Sequence, residues 1–260
     1  MMDQDYMRFV ERINLLTSID LSLYKEAQMK RRLTALRDKK NYASFSGYYD
    51  ALKGDQRLMD EFLERMTINV SEFFRNPERW DVVRHRIIPE LIAQKRKLKL
   101  WSAACAAGEE PYTLSCLLHN DSSKREYSIL ATDLDRAALK RAQEGIYDNN
   151  ALKHVPEAIR SSCFSDTEKG TAIGDHLKKN IRFKQHNLLL DAFEDGFDLI
   201  VCRNVMIYFT EEAKEELFRK FSEALRPGGY LFVGSTEQIF YPGRFNLHPM
   251  EPFFYQKPIS

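Results

Sequence analysis

Residues 98–118 read LKLWSAACAAGEEPYTLSCLL, and the change of character inside this stretch decides the fold. An apolar run ends in small residues, Ser102 to Gly108, and an acidic pair, Glu109 and Glu110, then opens a segment with helical spacing. Small residues at 104, 106 and 108 let a backbone turn tightly and approach a ligand closely. That is the steric demand behind glycine-rich nucleotide loops, with alanine replacing two of the glycines. Loops that bind phosphate use bare amides at a helix N-terminus. Two carboxylates at that position would repel phosphate and suit an ammonium or sulfonium group. Taken alone, they also read as charges that complement the helix dipole.

The same alternation continues outward. YSILATD (127–133), IRFKQHN (181–187), FDLIVCRN (197–204) and GYLFVGST (229–236) are short apolar runs ending in small or polar residues. EEPYTLSCLLHN (109–120), RAALKRAQEGIY (136–147) and EEAKEELFRKFSEAL (211–225) lie between them with helical spacing. Strand alternating with helix predicts crossover units on a parallel sheet, with function at the carboxyl ends of the strands. Residues 148–180 break the rhythm and are expected to be an insertion. Asp133, at the tip of the second run, is placed to accept hydrogen bonds from ribose hydroxyls, whereas Asp135 reads as a helix cap. Loop and acid together indicate a nucleoside-type cofactor, without separating a dinucleotide from S-adenosylmethionine.

Residues before about 80 read as helices. Met7, Val10, Ile13 and Leu16, then Leu33 and Leu36, recur at three- and four-residue spacing. Phe45, Tyr48, Tyr49 and Leu52, then Leu58, Phe62 and Leu63, predict two more helices broken near Gly54-Asp55. The expected organisation is a helical domain over 1–80, a linker helix over 81–97, and a sheet domain over 98–260 with its insertion. In the 260 residues, 39 Lys and Arg against 38 Asp and Glu leave a net charge of +1, so bulk charge gives no nucleic-acid signal. Four cysteines form no CxxC pair and no histidines complete a zinc pattern, so no metal is expected. The charged N-terminus is unlike a signal peptide, and no apolar run reaches the ~18 residues of a membrane span. A soluble, cytoplasmic protein is expected.

Five segments separate the cofactor alternatives. TINVSEFFRNPERW (67–80), LWSAACAAGEEPYTLSCLL (100–118), ILATDLDRAALKRAQEGIY (129–147), FDLIVCRNVMIYF (197–209) and LRPGGYLFVGSTE (225–237) together resemble the chemoreceptor glutamate O-methyltransferases, the CheR family. The resemblance spans nearly the whole chain. It implies a Rossmann-like S-adenosylmethionine-dependent methyltransferase sheet with an inserted small β-subdomain, preceded by an all-helical domain. It implies cofactor contacts at Asn69, Ser71, Arg75, Glu110 and Asp133, then at Asn187, Leu188, Asn204 and Val205, with S-adenosylhomocysteine as product. Ser71 stands where the family also has threonine and keeps the hydroxyl. The implied partner is the cytoplasmic helical region of chemoreceptors, met by a monomer recruited to membrane-bound receptor arrays. In many relatives the inserted subdomain also holds a receptor pentapeptide.

Methyl transfer to a glutamate needs no general base, because a carboxyl with a pKa near ~4.3 is ionised at neutrality. What it needs is alignment of oxygen, methyl carbon and sulfur. Arg75 and Tyr208 are the expected catalytic side chains, Arg75 orienting a carboxylate and Tyr208 offering a ring to a sulfonium. Arg203 is a weaker candidate whose plainer role is a loop-supporting salt bridge. Lys25, Lys30, Arg31, Arg32, Arg37, Lys39 and Lys40 face only Glu26 and Asp38, and Lys30, Arg31 and Arg37 are the expected docking residues for an acidic receptor. Three rivals remain at this point: a related carboxyl methyltransferase for another signalling protein or small acid, a nucleic-acid module using the basic helix, and a cofactor sensor without catalysis.

Overall fold

The structure, a computed structural model, describes residues 4–67, 71–94, 97–121 and 126–259. The chain divides into two compact units, Met1–Ile68 with Val205–Leu217, and Asn69–Asn204 with Phe218–Ser260.

The first unit holds four helices, α1 (Gln4–Thr17), α2 (Glu26–Lys39), α3 (Phe45–Gly54) and α4 (Gln56–Thr67). Rings form its centre: Phe9 lies 5.0 Å from Phe45 and 6.1 Å from Phe62, centroid to centroid. Asp5 fastens α1 to α3 by accepting the Phe45 and Ser46 amides, while Ser44 caps α3 through the Gly47 amide. The expected buried face of α1 is shifted. Tyr6, Phe9 and Ile13 are buried, whereas Met7 and Leu16 are 40% and 38% exposed. Two rings at 6 and 9 hide more apolar area than the aliphatic phase would, and area decides the face. The break at Gly54-Asp55 is present, and Asp55 accepts the Arg57 amide at the head of α4.

Residues 205–217 complete this unit. A 3-10 turn over Met206–Tyr208 is followed by Phe209, which bridges to Tyr24. Lys25 donates its amide to the Tyr208 carbonyl at 2.8 Å, and Thr210 donates to Leu23 at 2.9 Å.

The second unit opens with α5 (Pro77–Val82), one π turn (Val83–Ile87) and α6 (Ile88–Ile92). Trp80, Val83, Ile87, Ile88 and Leu91 are buried in the same core as strand residues Leu98, Leu100 and Leu199. Residues 71–94 therefore group with the sheet, whereas the expected helical domain ran to 80 and a linker helix to 97. Their apolar face packs on the strands, which makes them a layer of the sheet unit.

Next come β1 (Leu98–Ala103), α7 (Glu109–His119), β2 (Tyr127–Asp133), α8 (Arg136–Glu144), β3 (Ile146–Tyr147), α9 (Glu157–Cys163), β4 (Phe164–Thr167), β5 (Gly170–Ile173) and α10 (Asp175–Lys178). β6 (Ile181–Gln185), β7 (Phe197–Cys202), α11 (Glu211–Ala224), β8 (Leu225–Val233), β9 (His248–Glu251) and β10 (Phe254–Gln256) follow. The main sheet has the order β6-β2-β1-β7-β8-β10-β9. Its first five strands are parallel, and β10 joins β8 antiparallel. The five expected strands are there. The closing β9–β10 hairpin has no counterpart in the sequence reading, being two short strands with Pro249 inside one of them. The expected insertion supplies β4 and β5 of a separate antiparallel sheet, β3-β5-β4, whose third strand, β3, precedes residue 148 at the end of a stretch expected to be helical.

Candidate active site

Pairing register brings the loops together. Ala103 lies opposite Thr132 and Cys202, Cys202 opposite Val233, and Asp133 opposite Gln185. The segments leaving β1, β2, β6, β7 and β8 therefore emerge on one edge of one sheet, where open α/β sheets bind ligands.

The loop after β1 shows why its residues are small. Ala104, Ala106 and Gly108 have φ of 62°, 48° and 96°. A left-handed alanine costs roughly 1–2 kcal/mol, and larger side chains would add bulk to that strain. At Gly108 an added Cβ would lie 2.8 Å from the Ala142 methyl. The loop is held by Asp133, whose Oδ2 accepts the Ala106 amide at 2.8 Å and whose Oδ1 accepts the Asp135 amide at 2.9 Å. Each oxygen keeps further lone-pair capacity for a ligand hydroxyl. Burial raises the Asp133 pKa against the backbone amides that lower it. Asp135 caps α8 through the Ala137 and Ala138 amides, as its position in the sequence suggests.

At the head of α7 the two glutamates differ. Glu110 accepts from the Ser102 hydroxyl at 2.8 Å, and its other oxygen stands 3.8 Å from Arg203 Nη1. Burial outweighs that guanidinium and lifts the carboxyl to about 7. Glu109 is 6% exposed, its Oε2 has no hydrogen-bond partner, and burial raises its pKa although Ser71 bonds its side chain. A buried acid and a partly buried one beside small-residue backbone suit a ligand that carries positive charge.

Arg75 sits between two left-handed residues, Phe74 at φ 53° and Asn76 at φ 61°. The Phe74 amide donates to Thr113 Oγ1 on α7, and Trp80 Nε1 donates to the Arg75 carbonyl. On the other side of the edge, Asn204 (φ 62°) and Gly234 both donate their amides at 2.8 Å to Glu237 Oε2. His186 donates its amide to the Asp133 carbonyl, which places Asn187 next to the second strand tip. Asn187 Oδ1 accepts the Leu189 amide, and Leu188 is buried. Asn69 lies outside the described residues. Ser102 and Glu237 were not among the expected site residues, whereas Arg203 was weighed and makes the ion pair that its plainer role called for. All three are buried, and only the "CRN" and "GSTE" context around two of them could have signalled them.

Tyr208 and Val205 belong to the helical unit. There, Gln28, Arg31, Arg32, Ile207 and Tyr208 line a cavity of about 290 Å³. The Arg32 guanidinium lies 4.9 Å from the Tyr208 ring centroid, and its Nη1 donates to the Met66 carbonyl at 2.7 Å. Arg37 is paired with Asp38 at 2.6 Å and packs over Phe45. Lys30 lies over Tyr6. Of the expected docking residues, Arg31 alone borders the cavity, and Arg32 and Gln28, which were not singled out, border it with Tyr208.

Residues 69–254 match the family described as CheR methyltransferase, SAM binding domain, and residues 4–67 match its all-alpha domain. The chain belongs to the CheR methyltransferase family. The chemotaxis protein methyltransferase of Listeria innocua is 46% identical over 257 residues, which cover 98% of each chain. That of Borreliella burgdorferi is 32% identical over 255 residues, covering 92% of this chain and 89% of its own. This CheR protein is a methyltransferase that uses S-adenosylmethionine. The strand-edge residues fit that cofactor, with small residues where the backbone must come close, a strand-tip aspartate, and carboxylates at the head of α7 that would suit a cationic ligand. Among the described residues no metal cluster occurs, and no helix is long and apolar enough to cross a membrane.

Proposed function

We propose that this CheR protein methylates glutamate side chains of chemoreceptors, methyl-accepting chemotaxis proteins, giving glutamate methyl esters for sensory adaptation. S-Adenosylmethionine supplies an electrophilic methyl group. The observation that carries the acceptor class is the cavity around Tyr208, which among the described residues is lined by Arg31, Arg32, Gln28 and Ile207, two of them cations and none an acid or imidazole. A glutamate acceptor is already ionised at neutrality and needs cations to orient it, not a base to deprotonate it. An alcohol or amine acceptor would ask for the opposite lining.

In this reading Ser71, Arg75, Glu110, Asp133, Asn187, Leu188, Asn204 and Val205 bind the cofactor, together with Asn69. Asp133 accepts from the ribose and Glu110 faces positive charge. Arg75 is also catalytic, as an orienting cation. Tyr208 is catalytic with it, its ring offered to the sulfonium, and Lys30, Arg31 and Arg37 belong to the receptor-facing helix. The partner is the cytoplasmic helical region of a receptor, which puts the monomeric enzyme in the cytoplasm beside membrane-bound arrays. Incubation with labelled methyl donor and receptor cytoplasmic fragments tests the reading. Base-labile label on glutamate supports it. Label only on a small acid or on another signalling protein would replace the acceptor, and absence of transfer to any carboxylate would overturn the reading.

A further inference from the structure

Arg203 stands one residue past the end of β7, with its side chain only 4% exposed. An ion so deeply buried is costly unless its partners compensate, so the partners define its role. Its Nη2 donates at 2.8 Å to the Arg75 carbonyl and at 2.8 Å to Asn76 Oδ1. Its Nη1 faces Glu110 Oε2 at 3.8 Å. The guanidinium lies 4.7 Å from the Phe232 ring centroid and 5.5 Å from that of Trp80. The turn it holds is strained on both sides of Arg75, and such a turn persists only when its surroundings over-determine it. A planar fork with several donors can reach the turn and the carboxylate at once, whereas a lysine ammonium is a single point.

We propose that Arg203 is a positioning residue for the cofactor, a buried guanidinium that fastens the Arg75 turn and faces Glu110, fixing two oppositely charged groups before the cofactor arrives. The proposal rests on the reading that Arg75 and Glu110 touch the cofactor. Preorganisation of this kind raises affinity because little ordering is left to occur on binding. It also has a charge component. The charged groups facing Glu110 are Arg203, Glu237 and Arg75, with the Ser102 hydroxyl beside them, and those facing Arg203 are Glu110, Arg75, Glu237 and Glu78. Of the groups that favour an ionised Glu110, Arg203 ranks first. Without it the carboxyl would protonate at higher pH, and the anionic form that attracts a cationic ligand would appear later on the pH scale.

Calorimetric titration with S-adenosylhomocysteine, from about pH 6 to about pH 9, tests this on Arg203→Met, Arg203→Lys and Asn76→Gly, with thermal unfolding checked for each. Arg203→Met is expected to weaken binding at neutrality roughly 10-fold or more and to move the pH midpoint of affinity up by about one unit. Arg203→Lys should restore the midpoint but not the affinity, since charge returns and the fork does not. Asn76→Gly, which tolerates the left-handed backbone, should leave the midpoint in place and weaken binding a few-fold. A merely structural arginine would not move the midpoint. Arg203→Met with wild-type affinity and midpoint overturns the proposal; should that variant fail to fold, wild-type binding by both other variants does so. Arg75→Ala and Glu110→Gln are titrated alongside. If both bind as wild type, the cofactor reading falls and the proposal with it. If they weaken while the Arg203 and Asn76 variants do not, only the positioning role falls.

Discussion

Asp133 serves two masters, the loop after β1 and the proposed ribose site, and its replacement should register on both. Asp133→Ala removes the acceptor of the Ala106 and Asp135 amides as well as the ligand contact. Cofactor affinity is expected to fall by roughly 1.5–3 kcal/mol, the scale for losing hydrogen bonds to a charged group. Titration with S-adenosylhomocysteine measures it, and unchanged affinity in the folded variant removes Asp133 from the pocket. At the transfer step, Tyr208→Phe should retain measurable activity, because the ring under the Arg32 guanidinium survives loss of the hydroxyl. Arg75→Ala should be far worse, since an orienting cation disappears. Single-turnover rates at saturating cofactor compare the two; equal loss would mean that orientation by charge is not the main device. Residue-scale chemistry was legible wherever a side chain meets its target near a strand end. Asp135, which caps α8, could be read in this way, as could the place of Asp133 at the tip of β2. Glu237 could not, because its partners are the backbone amides of Asn204 and Gly234, which only the folded sheet brings together.

For elements, α2 carries the test of acceptor docking. Arg31 borders the Tyr208 cavity with Arg32, while Arg37 is engaged by Asp38. Arg31→Glu with Arg32→Glu is therefore expected to raise KM for a receptor fragment while leaving cofactor affinity intact, and Arg37→Glu to do much less. The difference should shrink as salt rises, since the Debye length contracts to ~3 Å at 1 M. Steady-state kinetics at low and high salt decide it; receptor KM indifferent to all three changes would put docking on another face. The strands β1, β2, β6, β7 and β8 were readable because each is an apolar run closed by small or polar residues. Elements without such a run were not. The β9–β10 hairpin is too short for a period to emerge, and the buried phase of α1 depended on Phe45 and Phe62, which lie elsewhere in the chain. The helices over 77–92 look like a connector by position, yet their apolar face belongs to the sheet.

Across the whole molecule, three acids at the strand edge, Glu109, Glu110 and Asp133, have pKa values raised above their ordinary range, chiefly by burial. An acid whose folded pKa is raised stabilises the fold below its unfolded pKa and loses that contribution as pH rises through the folded value. For Glu110 the loss falls between about 4.5 and about 7. His186, whose pKa burial lowers, acts the other way and withdraws stability only as pH falls through its ordinary range near ~6.5. The contribution of Glu110 to the melting temperature of the cofactor-free enzyme is thus expected to fall between about pH 5 and about pH 7 and to change little above that. Glu110 alone would account for roughly 3 kcal/mol of the full acid-side change. Glu110→Gln should flatten the slope, and scanning calorimetry of both proteins measures it; an identical slope in the variant would relieve Glu110 of the role. The division of the chain has a further consequence. Ile207 and Tyr208, two walls of the cavity lined by α2, are written into the gene long after the four helices they complete. A fragment ending at residue 68 would inherit the helices without their binding cavity, with the Leu23 carbonyl and Lys25 amide deprived of the chain they meet in the intact protein. To carry the helical unit whole, a fragment must therefore also supply residues 205–217, which the chain reaches only after β7.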